Sequence, residues 1–173
     1  AKGHVEYSPS VKEAKLTNLL MEGVHVDYVH AARTESAEKK VAAETVQAAA
    51  KLSNHPEWLV RIDQGKILHS ELGFVNKAAN PEYRVFLSDA NIGLDNFSNQ
   101  LSEGTAYLKL TGKFMGTGPT QVSATFRPET QSPDFDLKLR LVSTRLRALN
   151  DVLRAYGKFD VTEGMFSLFS EFT

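Results

Sequence analysis

The five histidines, His4, His25, His30, His55 and His69, are the side chains of this sequence best suited to bind a metal ion or shuttle a proton. A zinc-type centre needs three or four such ligands converging on one point. These are scattered, and none lies in a tight ligand pattern. His25 and His30 have opposite parity on one predicted strand, so they face apart. A nucleophilic triad needs Ser or Thr, His and Asp brought together, but the sequence has no Gly-x-Ser-x-Gly elbow. Asp134 and Asp136 share one strand face, and their spacing reads as solvated charge rather than as an acid pair flanking a cleft. Gly116-Thr117-Gly118 is no phosphate loop: no Lys-Ser/Thr follows it, and Pro119 removes an amide donor. The reading is of a non-enzyme with neither cofactor nor metal.

What remains is a set of regular apolar faces. Val85 and Leu87, Leu108 and Leu110, and Leu137 and Leu139 occupy alternate positions on three predicted central strands. Such side chains serve equally as ordinary core or as a surface for acyl chains, because the hydrophobic effect asks the same of both.

The elements that carry them are mostly strands. Val24, Val26 and Tyr28 alternate with His25, Asp27 and Val29. Trp58, Val60 and Ile62 open another strand, with a bend permitted at Gln64-Gly65. Tyr83, Val85 and Leu87 share a face, but from Ala90 the apolar set is Ala90, Ile92 and Leu94. This change of parity predicts a one-residue bulge near Ser88-Asp89. Gly116 to Pro119 predicts a hairpin joining the Ala106–Phe114 pattern to Val122, Ala124 and Phe126. Phe135, Leu137, Leu139 and Leu141 give the cleanest half-buried strand. Two helices interrupt this pattern. Thr34–Leu52 is rich in Ala, Glu, Lys and Gln but has a thin apolar face, so it is expected to dock weakly. Thr144–Ala155 repeats Leu146, Leu149, Val152 and Leu153 at helical spacing, with Gly157 closing it. The fold expected is mainly β (α+β): an antiparallel sheet, apolar on one face, with two helices too small to cover that face.

A chain of 173 residues fits a single domain, 1–173. The net charge of −1 and the lack of any Lys/Arg block argue against nucleic acid as a partner. With no cysteine there are no disulfides or thiolate ligands. The sequence stops inside a strand-like pattern, as expected of a piece of a longer protein.

Leu149-Asn150-Asp151-Val152-Leu153-Arg154-Ala155-Tyr156-Gly157-Lys158-Phe159-Asp160-Val161, followed by Glu163-Gly164-Met165-Phe166-Ser167-Leu168, resembles a signature of the domain-of-unknown-function 748 family, a branch of the AsmA-like proteins. Arg61-Ile62-Asp63-Gln64-Gly65-Lys66-Ile67 is similar to that family's strand opening. Gly112-Lys113-Phe114-Met115-Gly116-Thr117-Gly118 is similar to its central hairpin, and Leu16 to Tyr28 to its first strand pair. The resemblance implies a sheet curled into a groove with an apolar interior. It also implies a periplasmic location, tethered to the inner membrane through a segment absent from this chain, and a part in lipid transport and outer-membrane homeostasis. It carries no catalytic residues. Val85, Leu87, Leu108, Leu110, Leu137 and Leu139 are then the candidates to line a lipid groove, with phospholipid or another acyl-chain lipid as partner. Self-association through strand edges is a further expectation. The alternative is a structural or adaptor module that binds a protein partner by adding a strand.

Overall fold

In the computed structural model, which describes residues 2–7, 12–31, 58–98, 104–127 and 134–173, the period-two patterns form one curved, unclosed sheet of nine strands. These are β1 (Lys2–Tyr7), β2 (Lys12–Glu22), β3 (His25–His30), β4 (Trp58–Asn76), β5 (Tyr83–Ser98), β6 (Ala106–Phe114), β7 (Gly118–Arg127), β8 (Asp134–Arg145) and β9 (Met165–Phe172). Their order is β1-β2-β4-β5-β6-β7-β8-β9, with β3 also paired to β4.

From β4 to β9 the sheet is an antiparallel meander, as expected, and the turn at Met115–Thr117 closes the β6–β7 hairpin. The all-antiparallel expectation gives way at β4, against which β2 and β3 both run parallel. Parallel neighbours need a crossover of about a dozen residues or more, and the stretch between His30 and Trp58 is long enough to supply one. The expected helix at Thr34–Leu52 falls in that stretch, outside the described residues. β2 and β3 lie end to end along one edge of β4. The break between them is stitched by Ser70, whose hydroxyl accepts from Val24 N (3.0 Å) and donates to Leu68 O (2.9 Å).

Bulges help to bend the sheet. His69, Asp89 and Ser143 have φ of 48°, 49° and 51°, each beside a shift of register. Such residues lose a ladder partner. Side chains of the neighbouring strands replace two of the lost acceptors. Asn91 Oδ1 takes the His69 amide (3.1 Å), and Ser167 Oγ takes that of Ser143 (3.0 Å). The bulge expected at Ser88-Asp89 is therefore present, and it restores Ala90, Ile92 and Leu94 to the face of Val85 and Leu87.

The second helix starts later than its periodicity suggests. Thr144 and Arg145 complete β8, a 3-10 turn covers Leu146–Leu149, and α1 runs from Asn150 to Gly157. Pairing of Thr144 and Arg145 with Phe166 and Met165 holds them in the sheet against the helical pattern. The cap also differs from expectation: Lys158, not Gly157, takes the left-handed conformation (φ 57°). A Cβ on Gly157 would overlap the ring of Phe159. The glycine leaves room for that ring, and its own backbone angle does not call for glycine. Asn150 ties the helix to the returning chain, donating to Val161 O (3.0 Å) and accepting from Val161 N (2.9 Å).

Candidate functional site: the apolar face

Register turns the separate strand patterns into continuous rows. One row reads Met21, Ile67, Ile92, Leu110, Val122, Leu139 and Ser170 across β2 and β4–β9. The next reads Leu19, Gly65, Leu94, Leu108, Ala124, Leu137 and Phe172. Toward the β6–β7 hairpin, Leu72, Leu87, Phe114 and Gly118 form a third. Val85 lies beside Phe74, one step further on. All six residues singled out from the sequence therefore share one face, four of them as Leu110/Leu139 and Leu108/Leu137 in the first two rows. Sequence reasoning left Ile67, Ile92, Leu94 and Val122 off that set, although alternation already marked the last three. Only register shows that they fill the gaps. The six strands from β4 to β9 make this face about 24 Å wide at the usual interstrand spacing.

Among the described residues no second sheet covers this face, and the helix α1 meets it only at the Tyr83 end. The buried hydrophobic residues are only Ala90, Ala106, Ala124 and Leu141. Three of these are small, hemmed in by larger neighbours of their own layer. The six candidate side chains are all half-buried. The buried polar residues Ser70, Asn76, Thr120 and Thr144 lie on this same face, so its side chains crowd together. Gly118 is part of that crowding, since a Cβ there would overlap Thr144 Oγ1.

An aromatic ladder closes one end of the face. Tyr28 stacks on Phe74 (5.8 Å), Phe74 meets Tyr83 (6.3 Å), and Tyr83 meets Tyr156 of α1 edge-on (5.8 Å). The two phenols are 3.0 Å apart, and Asn76 Nδ2 donates to both. The bond with Tyr83 is the largest influence on Tyr156, and it raises that phenol's pKa. Leu146, Leu149, Val152 and Leu153, the residues at helical spacing, are all half-buried, and Tyr156 supplies polar contacts to β4 and β5.

The opposite face is polar and ion-paired. Arg84 binds Asp27 Oδ1 (Nη2 2.8 Å, Nε 3.0 Å) and Glu71 Oε1 (2.6 Å), with His25 3.5 Å from each carboxylate. The Arg84 hydrogen bond holds Asp27 below the usual carboxylate range. A guanidinium thus sits among the side chains that could otherwise have been read as metal ligands. Among the described residues, no three His, Asp or Glu are placed to hold a metal ion. Asp136 is paired with Arg127, and Lys138 with Glu171 (2.6 Å). A shallow depression of about 350 Å³ on this face is lined by Lys109, Gln121, Ser123, Lys138 and Arg140.

No protein-family model, curated protein or solved structure matches the chain.

Proposed function

We propose that the apolar face binds the acyl chains of a lipid, as one segment of a lipid-handling groove of the AsmA-like type in the bacterial periplasm. The observation that carries this reading is the pair of rows through Leu108/Leu137 and Leu110/Leu139. They form a continuous, mostly aliphatic surface six strands wide, and no second sheet covers it among the described residues. A sheet that is apolar on one face gains stability only when that face is removed from water. Contiguous apolar area of this extent marks a place where something binds. An acyl chain suits it because the rows offer methyl groups and almost no hydrogen-bonding side chains. No catalytic role is part of this reading.

The test is native mass spectrometry of the purified chain together with uptake of a fluorescent fatty acid. The wild-type chain should carry lipid adducts or take up the probe. Leu108→Asp/Leu137→Asp places two charges in one row and should abolish both signals, with the far-ultraviolet circular dichroism unchanged. A wild-type chain that carries no lipid and takes up no probe would overturn the reading. An adaptor module that binds a protein by strand addition is the alternative.

A further inference from the structure

We infer that Asn76, Tyr83 and Tyr156 form the headgroup end of the apolar face, where a phenol hydroxyl donates to the ester carbonyl of an acyl lipid whose chain runs away along β4 and β5. This rests on the reading of that face as an acyl-chain surface. The Asn76 side chain is 8 % exposed, and its amide orientation is fixed by the chain that follows it. Asn76 Oδ1 accepts from the amides of Ala78 (2.9 Å) and Ala79 (3.1 Å). Nδ2 therefore faces the phenols, donating to Tyr83 (3.2 Å) and to Tyr156 (3.3 Å). The phenols bond each other at 3.0 Å, and either can be the donor. The amide nitrogen brings two hydrogens and each phenol one. Three of these are used within the trio. Whichever way the phenols bond, one phenol hydrogen is left over, and it meets no acceptor among the described residues.

The chemistry of this corner selects its ligand. Tyr156 is 68 % exposed, so the corner is open. The Tyr83 bond raises the Tyr156 pKa, so that phenol keeps its proton at neutral pH. The trio itself is uncharged and has a donor to spare, which matches a neutral acceptor. A carboxylate would need a cation in contact to offset its desolvation. An ester carbonyl is a neutral acceptor, and it stands where the chain of an acyl lipid begins. Asn76 and Tyr83 are paired across β4 and β5, and the next pairs on the same face are Phe74 with Val85 and Leu72 with Leu87. From Tyr83 to Leu87 is about 13 Å at the usual strand rise. One leaflet of a bilayer has a hydrocarbon depth of about 15 Å. A chain anchored at the phenols would therefore lie over Val85 and reach Leu87. Mostly apolar sites take their orientation from a few polar groups in fixed positions, and this trio gives the apolar face such a polar end.

Displacement of a bound fluorescent fatty acid compares methyl hexadecanoate, hexadecanoate and the hydrocarbon octadecane as competitors. Asn76→Asp keeps the acceptor for the Ala78 and Ala79 amides and offers both phenols a carboxylate oxygen, so it takes up the spare hydrogen. Its circular dichroism should be unchanged, while the preference for methyl hexadecanoate over octadecane should fall about tenfold, the worth of one hydrogen bond. In the wild-type chain, methyl 5-doxylstearate should broaden the amide resonances of Asn76 and Tyr83 most, and methyl 16-doxylstearate those of Leu72 and Leu87. This second measurement needs no variant to fold. An unchanged preference in folded Asn76→Asp, stronger displacement by hexadecanoate than by its ester, or the reverse order of broadening would each overturn the inference and leave the acyl-chain reading standing. A wild-type chain that binds none of the three competitors would overturn both.

Discussion

Replacing Thr144 with valine should stabilise this protein by about 1 kcal/mol. Thr144 is wholly inaccessible to solvent, yet its hydroxyl has no hydrogen-bond partner among the described residues. A buried hydroxyl left unpaired costs roughly 1–3 kcal/mol of desolvation. Valine keeps the β-branched shape that suits a strand and removes the polar atom. The methyl that replaces the hydroxyl is slightly larger and packs against Gly118, so the net gain falls toward the low end of that range. Gly118→Ala tests the same contact from the other strand, with the opposite sign. Its Cβ would overlap the Thr144 hydroxyl and lie 3.0 Å from Thr144 Cβ and 3.2 Å from Thr144 Cα. The last of these is backbone and cannot rotate away, so overpacking should cost about 1–3 kcal/mol. Combining the two substitutions should give no rescue, because the contacts to Cβ and Cα persist. Urea denaturation midpoints of the two single variants and the double variant measure all three effects. A lower midpoint for Thr144→Val would refute the reasoning, since it would mean that the hydroxyl is paired.

Three further outcomes follow from the same geometry. Asn150→Ala removes both side-chain bonds to Val161 and should cost about 1–2 kcal/mol by urea denaturation, with Asn150→Asp recovering only the acceptor half. Leu149→Ala and Leu153→Ala should each cost about 1–2 kcal/mol, less than a fully buried leucine, because both side chains are half-buried; no change at either would place this helix face in water. Asp27 has its folded pKa depressed by Arg84, so its contribution is present above its unfolded value of about 3.9 and lost as pH falls through the folded value. Backbone amide resonances of β3 should therefore shift toward unstructured values on acidification below about pH 4, ahead of those of β7. Arg84→Gln should loosen β3 at neutral pH already.

Much of this fold was legible in the sequence because it depends on neighbours along the chain. Leu137, Leu139 and Leu141 alternate with charge, and they form a strand wherever that strand is placed. The slip from Leu87 to Ala90 marked a bulge because a pleat has no other way to keep both residues on one face. Gly116 to Pro119 specified a hairpin by turn chemistry alone. Tertiary structure decided whatever depends on which strand lies alongside. The two parallel neighbours of β4 depend on a long crossover, which no local pattern encodes. The Arg84 cluster joins residues of three strands, and the phenol pair joins Tyr83 to Tyr156 from distant parts of the chain. Thr144 looked like the start of a helix, and the β9 ladder made it the end of a strand. Gly157 looked like a helix cap, and Lys158 takes the left-handed conformation instead. The hydrophobic pattern of each strand named the residues of the apolar face, but only register could align them into rows. Alternation fixes which way a side chain points, and pairing fixes which side chain it meets.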